Sequence, residues 1–166
     1  LLGQAVQKLK EGKKAPTVES MIDLGVCGTI PEAYIASPTR RLSMYCRLAR
    51  CEVQSEVAKI VHDLSTGYGA LPTVVQRLVK YHELRVAASL LLIATMTIDD
   101  EDVVIRTKDA SALPQRLTSS TGTLRSVGGV SSSGYEVVYY RTSSQSTPEE
   151  LLIELHSLLV ESSCLS

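Results

Sequence analysis

The sequence predicts an α+β domain with an N-terminal strand, a cluster of about three helices, an antiparallel-rich sheet and a closing C-terminal amphipathic helix. Three observations support this fold class. Apolar residues recur at helical spacing over residues 37–90, recur mainly at strand spacing over 93–141, and return to helical spacing after 147. Because the helices cluster first and the strands follow, the order differs from the alternating strands and helices of a parallel α/β fold.

The N-terminal residues predict two short elements. Residues 1–11 fit an amphipathic helix that Gly12 ends. With the polar linker that follows, residues 1–17 are interpreted as the end of a preceding module, cut from a longer chain, and the domain itself is expected to span residues 18–166. Apolar and polar residues alternate over residues 21–30, which predicts the first strand of the domain.

Two helices are expected next. Ser37 is suited to be an N-cap and Pro38 to be the first helical residue, so a helix is predicted to begin there. A break is expected over residues 51–53. The second helix follows the break, and Gly67 and Gly69 are expected to stop it.

A third helix and a hairpin follow. Leu71 and Pro72 open the helix, and the pattern then changes to strand period over residues 93–98 and 103–106. The acidic residues 99–102 between these strands are interpreted as a solvated hairpin turn. The residues of the third helix that are expected to face the core are Val75, Leu78, Val79 and Val86.

The C-terminal third predicts a short helix, two strands and a long helix. The short helix lies over residues 111–117, and the strands lie over 123–127 and 135–141 with a Ser/Gly-rich loop between them. Thr147 and Glu150 have the spacing of a capping box, with Pro148 at the first helical position. The apolar face of this last helix consists of Leu151, Leu152, Leu155, Leu158 and Leu159.

Composition limits the function classes. The 166 residues contain 17 Lys and Arg against 18 Asp and Glu, a net charge of −1 that argues against a globally basic nucleic-acid-binding surface. The basic excess is local, with eight basic and four acidic side chains in residues 1–50. There is no Phe or Trp, so an aliphatic core is expected. Four irregularly spaced cysteines and the lack of a signal-peptide or membrane-span pattern favour a cytoplasmic protein.

No catalytic constellation is found. Phosphate-binding loops, a serine-nucleophile elbow and metal-ligand spacing are all absent from the sequence, so no catalytic residue, cofactor or metal is expected. A stand-alone enzyme is the weaker rival to a binding or regulatory domain. Three histidines occur singly and are expected at the surface or half-buried, namely His62, His82 and His156.

Two basic pairs leave a DNA-binding alternative open. Lys13 and Lys14 lie in the predicted linker, and Arg40 and Arg41 lie in the first turn of a predicted helix, where cations oppose the helix dipole. Contact with phosphate is one interpretation. An ordinary solvated linker and an ordinary first helical turn are the others.

Several blocks between residues 18 and 95 resemble the C-terminal domain of bacterial transcription-repair coupling factors of the Mfd type. The order and spacing of the blocks match this family, whereas residues 96–166 share only its rhythm of strands and helices. Residues 1–11 are similar to the end of the translocase module that precedes the domain. The blocks are an aspartate-leucine strand at Asp23-Leu24, Ile30-Pro31-Glu32-Ala33-Tyr34-Ile35, Arg41-Leu42-Ser43-Met44-Tyr45-Cys46-Arg47-Leu48-Ala49, Tyr68-Gly69-Ala70-Leu71-Pro72 and Leu84-Arg85-Val86-Ala87-Ala88.

The resemblance implies a regulatory role. The parent protein of this family is an ATP-driven translocase on double-stranded DNA, so ATP and Mg belong to the parent and not to this domain. It displaces stalled RNA polymerase and recruits UvrA, the damage-recognition protein of nucleotide excision repair, through an N-terminal UvrB-like module. The C-terminal domain is non-catalytic and masks that module until the translocase engages.

The resemblance also places a masking contact. In the family it is a Glu-Leu-x-Asp-Arg stretch, where this sequence reads Asp63-Leu64-Ser65-Thr66-Gly67. Asp63 keeps the first acid, while Thr66 and Gly67 replace the second acid and the arginine, so the mask is expected to be weaker or to use other residues. An ordinary solvated carboxylate remains the alternative for Asp63. A structural turn is assigned to Tyr68, Gly69 and Pro72.

Overall fold

The computed structural model describes residues 15–117, 122–142 and 146–161, and the statements below concern these residues. It confirms the α+β class, with five helices and five strands in the described part of the chain. In chain order the elements are β1 (Met21–Asp23), α1 (Pro38–Arg50), α2 (Gln54–Tyr68), α3 (Thr73–Leu90), β2 (Ile93–Asp99), β3 (Asp102–Thr107), α4 (Leu113–Leu117), β4 (Thr123–Val127), β5 (Glu136–Arg141) and α5 (Pro148–Val160).

The five strands form one mixed sheet in the order β1-β2-β3-β5-β4. β1 pairs with β2 in parallel, with Met21 opposite Thr95, and the other pairings are antiparallel. The chain therefore passes through α1, α2 and α3 before it returns to the neighbouring strand. One face of the sheet is buried under helices, and the opposite face carries exposed Arg106 and Arg125 beside half-buried Tyr139.

The first strand is shorter than the sequence predicts. It ends at Asp23, because Gly25 has a φ of +70° that an extended strand does not allow. The alternation nevertheless marked the buried positions, since Leu24 and Ile30 are 1% and 4% exposed. The prediction of a strand over residues 21–30 was therefore correct in its buried residues and wrong in its length.

Helix α2 ends later than expected. It passes through Gly67, where a Cβ would meet nothing within 4 Å, and continues to Tyr68. Gly69 then takes a φ of +86°, and its N–H donates to the carbonyl oxygen of Ser65 at 3.0 Å. Of the two glycines that were predicted to stop this helix, Gly69 ends it and Gly67 does not.

Two hydrophobic cores share helix α3. The helical lobe consists of α1, α2 and the side of α3 that carries Val75 and Val86, packed around Leu48, Val57 and Leu64. The sheet lobe packs the sheet against α4, α5 and the C-terminal part of α3, around residues such as Leu84 and Ile105. Val75, Leu78, Val79 and Val86, which the sequence placed in the core, are all buried in the helical lobe.

One expectation about polar residues was wrong, and another was correct for three of its four residues. His82 and His156 are buried at 8% and 7% exposure, and His156 Nε2 lies 2.5 Å from Glu83 Oε2, which links α5 to α3. The acidic hairpin turn is solvated at Asp99, Asp100 and Glu101, which are exposed, whereas Asp102 is half-buried and accepts hydrogen bonds from Arg125 and Arg141. The Arg141 hydrogen bond holds the pKa of Asp102 below its usual value.

None of the described helices is both long enough and apolar enough to cross a membrane.

Candidate interaction surface

The C-terminal end of helix α2 presents the sequence-predicted contact residues to solvent. Asp63, Thr66 and Gly67 are spaced three and one residues apart, and all three are exposed. Leu64, between them in sequence, is fully buried and anchors this end of the helix in the helical lobe. The three residues therefore lie on an outer helix surface that the core holds in place.

Asp63 is engaged in an ion pair within the domain. Arg47 Nη2, from the last turns of α1, donates to Asp63 Oδ2 at 2.5 Å, and the two side chains are 42% and 48% exposed. The same arginine lies 3.6 Å from the sulfur of Met44. An exposed pair of this kind contributes about 0.2–1 kcal/mol to stability, so its main effect is to orient the carboxylate.

The turn after α2 is held by a tyrosine from a different segment. The hydroxyl of Tyr34 donates to the carbonyl oxygens of Leu64 and Gly69 at 3.2 and 3.0 Å, sharing its proton between them. Its ring lies 5.7 Å from the ring of Tyr68. Burial, together with the nearby Tyr68, raises the pKa of Tyr34. Pro72 follows this turn and accepts the first hydrogen bonds of α3.

Arg85, on helix α3, binds the C-terminal end of α1 and fixes its position. Its Nη2 donates to the carbonyl oxygens of Leu48 and Cys51 at 3.1 and 2.9 Å, which satisfies the C-terminal end of α1. Its Nε lies 3.4 Å from Nδ1 of His82. Burial and the Arg85 charge lower the pKa of His82 to about 4, so the ring is neutral and can accept this hydrogen bond.

The basic residues singled out in the sequence are not brought together into one site. Arg41 Nη1 donates to the carbonyl oxygens of Ile35 and Ala36 at 2.7 and 3.0 Å, so it closes the preceding turn. Arg40 is exposed beside it. Lys13 and Lys14 lie outside the described residues.

Two surface concavities of the described part have charged residues in their linings. One, of about 300 Å³, is an open depression between α1 and α2 that includes Arg50 and Lys59. The other, of about 550 Å³, lies between the β2–β3 hairpin and α5, where Asp102 and Arg141 bind each other. Within the described residues, no group of three or more His, Cys, Asp and Glu side chains is placed to hold a metal ion.

Sequence reasoning missed the residues that support this surface. Tyr34 and Arg85 bind backbone atoms of segments that are distant in the chain, and Arg47 binds an acid 16 residues away on another helix. Neither periodicity nor motif spacing signals such contacts. Their only signal was that all three lie inside the blocks that carry the family resemblance.

Part of the chain is similar in sequence to known proteins. The TRCF domain family matches residues 24–116. The transcription-repair-coupling factors of Mycobacterium tuberculosis (strain CDC 1551 / Oshkosh) and Haemophilus influenzae are 41% identical over 83 residues and 34% identical over 91 residues. These matches cover 50% and 51% of the present chain but only 6% and 8% of those proteins.

The fold is also found in a solved structure. The crystal structure of the C-terminal domain of transcription-repair coupling factor superimposes with a TM-score of 0.65 at 15% sequence identity. The match covers 89% of the present chain and 97% of that structure, so the likeness in fold extends over both lobes.

Proposed function

The chain belongs to the TRCF domain family, and on that premise we propose that it is the non-catalytic regulatory domain of a transcription-repair coupling factor. It acts by intramolecular contact with the N-terminal UvrB-like module of its own polypeptide. In the resting state it covers the surface that recruits UvrA, and it releases that surface when the translocase engages.

The parent protein supplies the chemistry in this proposal. It is a helicase-like, ATP-dependent translocase on double-stranded DNA that displaces stalled RNA polymerase and starts transcription-coupled nucleotide excision repair in the cytoplasm. ATP and Mg bind to the parent and not to this domain. The identity with curated relatives named transcription-repair-coupling factor supports this assignment.

The polar groups of the larger cavity support a non-catalytic domain. Asp102 and Arg141 are bound to each other there, at 2.8 and 3.0 Å, and are not left facing a reacting group. The pKa of Asp102 is lowered chiefly by its hydrogen bond with Arg141, which is a structural contact. A general base would instead need a pKa near the working pH and an open face toward substrate.

The masking role rests on the position of Asp63. Its carboxylate is exposed and is oriented by Arg47. It lies near the end of a helix whose C-terminal turn is held by the hydrogen bond of Tyr34 to Gly69. A pre-oriented charge contributes more to binding than a freely rotating one, because less side-chain entropy is lost on association. Thr66 offers a hydroxyl and Gly67 no side chain at all, so the masking contact here is weaker than one made by three charged residues.

Binding between the isolated domain and the N-terminal module of its parent protein tests the proposal. We expect association when the two are joined by a flexible tether, and a loss of about tenfold in affinity for Asp63→Ala. Asp99→Ala is the matched control, because it removes an exposed carboxylate from the hairpin turn. Its affinity should stay within twofold of the original protein.

Two outcomes contradict the proposal. If the tethered pair shows no association, this domain does not mask the module. If Asp63→Ala and Asp99→Ala weaken binding equally, the contact depends on overall charge and not on the α2 surface.

A further inference from the structure

Helix α1 presents a row of three arginines and one serine, called the basic row, to solvent next to Asp63. Arg40, Ser43, Arg47 and Arg50 are spaced three, four and three residues apart, so they follow one line along the helix. At 1.5 Å per residue this row is about 15 Å long. All four residues are exposed, and Arg47 is the one that binds Asp63.

A row of apolar side chains runs beside the basic row. Leu42, Cys46 and Ala49 are spaced four and three residues apart, and Val53 follows at the start of α2. Leu42 is 63% exposed and Val53 43%, although the opposite side of α1 is packed around fully buried Leu48. An exposed leucine with smaller apolar neighbours beside a row of arginines has the composition of a protein-docking surface. We call the basic and apolar rows together the α1 face.

The α1 face keeps a positive charge after its internal contacts are taken into account. Helix α1 contains four arginines and no carboxylate. Asp63 is bound to Arg47, and the Glu56 carboxylate, which accepts the backbone N–H of Glu52 at 2.8 Å, lines a depression that Arg50 and Lys59 also line. Among the described residues, neither Arg40 nor Arg50 is joined to an acid by an ion pair.

The two rows together favour a protein partner over nucleic acid. A phosphate backbone would engage the arginines but would leave Leu42 and its neighbours uncovered. Protein interfaces combine apolar anchors with arginine, and they bury the apolar residues at the centre. Charge complementarity then requires that the partner surface be acidic around an apolar side chain.

We propose that the α1 face extends the masking contact of Asp63, and that it docks an acidic segment with an apolar anchor on the N-terminal module. This inference rests on the proposed function and names the chemistry of the partner surface. Because Thr66 and Gly67 are uncharged, the end of α2 offers fewer charged contacts than the family stretch it resembles. The α1 face supplies a second contact area directly beside it. The interface is therefore centred between the two helices.

Two variants of the α1 face test this inference in the tethered binding assay. Arg40→Gln with Arg50→Gln should weaken association about fivefold and make it less sensitive to salt. Leu42→Ser should weaken it about tenfold with no change in salt sensitivity. All three positions are exposed, so both proteins should keep the original unfolding temperature, which thermal unfolding checks.

Matched controls separate this surface from general effects. Arg106→Gln with Lys108→Gln removes the same charge from the open sheet face, and Ile153→Ser removes an aliphatic side chain that is 54% exposed on α5. Both control proteins should bind within twofold of the original.

The outcomes also distinguish this inference from the proposed function. If Asp63→Ala weakens binding while the α1 variants do not, masking is confined to α2 and the inference is wrong. If no association occurs at all, both the proposed function and this inference are wrong. Salt-dependent binding of a 20-base-pair DNA duplex that is lost in Arg40→Gln with Arg50→Gln, with module binding unchanged, would assign the face to nucleic acid and overturn the inference.

Discussion

The helical lobe and the sheet lobe share helix α3 but differ in the balance of contacts that stabilise them. In the helical lobe, polar side chains bind backbone groups of other segments at 2.7–3.2 Å. The four residues that do so within the resemblance blocks are Tyr34, Arg41, Tyr45 and Arg85. In the sheet lobe, aliphatic side chains pack on one face of a backbone hydrogen-bond ladder. Side chains also bind distant backbone carbonyl oxygens there, namely Ser20, Tyr81, Ser89 and Thr107, but none of these four residues lies in a resemblance block.

This difference explains where the family can be recognised. A side chain that donates to a given carbonyl oxygen must carry its donor group at a particular distance from the backbone. Few residue types can therefore replace Tyr34 or Arg85. A buried aliphatic position accepts several residues of similar volume. The blocks that resemble the family accordingly lie mostly in the helical lobe, while the likeness in fold covers 89% of the chain.

The largest expected effect is at the seam of the two lobes. Gly28 packs so closely on α3 that a Cβ would lie 2.1 Å from the backbone nitrogen of Leu78. Gly28→Ala must therefore displace one of two backbone segments, and we expect a loss of about 4 kcal/mol or more in the free energy of unfolding. Chemical denaturation measures it.

Gly128→Ala is the control for this change. Gly128 has open space around its Cβ position and does not have a positive φ, so the expected change is below about 0.5 kcal/mol. Equal effects at the two glycines would mean that the close approach of residues 24–30 to α3 does not hold the lobes together.

Much of the fold followed from the sequence because the signals are local. The Ser37 cap, the Thr147–Glu150 capping box and the β2–β3 hairpin each depend on residues a few positions apart. The parallel pairing of β1 with β2 was not predicted, because the paired residues are separated by three helices. The buried contact of His156 with Glu83 joins residues 73 positions apart, and no pattern in the sequence indicates it.

The candidate surface was predicted less completely. The sequence and the family resemblance placed Asp63, Thr66 and Gly67 on one exposed helix end, where the structure also has them. They did not indicate that Arg47 pairs with Asp63, because that contact depends on how α1 and α2 pack. The sequence also did not indicate that Leu42 is exposed, since periodicity does not tell which side of a helix finds a partner.

A second prediction tests the specificity of the helical lobe. Arg85→Met keeps the apolar stem but leaves the carbonyl oxygens of Leu48 and Cys51 without their charged donor, so we expect a loss of about 3 kcal/mol. Ile105→Val in the sheet lobe should cost about 1 kcal/mol, because it removes a single methylene from a fully buried position. If the two proteins unfold at the same denaturant concentration, the proposed contrast between the lobes is wrong.

Acid should weaken the contact around Arg85 in a defined pH range. The folded-state pKa of His82 is about 4, below the ordinary value of 6.5, so the unfolded chain binds the extra proton first as pH falls. The stabilisation that depends on neutral His82 is complete above pH 6.5. About 2 kcal/mol of it is lost as the pH falls toward 4. His82→Gln, which does not titrate, should lose correspondingly less between pH 7 and 4.5, as measured by denaturation at each pH. Equal losses in both proteins would contradict the shift.

The smallest effect expected concerns the turn beside Asp63. Tyr34→Phe removes the hydroxyl that binds Leu64 and Gly69, and we expect a loss of about 1 kcal/mol with faster amide hydrogen exchange at Gly69. Tyr139→Phe on the open sheet face is the matched control, since its hydroxyl makes no hydrogen bond to another described residue, and its effect should be below about 0.3 kcal/mol.

The exchange measurement is decisive, because a general loss of stability would raise exchange in both lobes. An increase confined to the end of α2 would show that Tyr34 holds this surface in particular, and exchange unchanged at Gly69 would remove Tyr34 from that role.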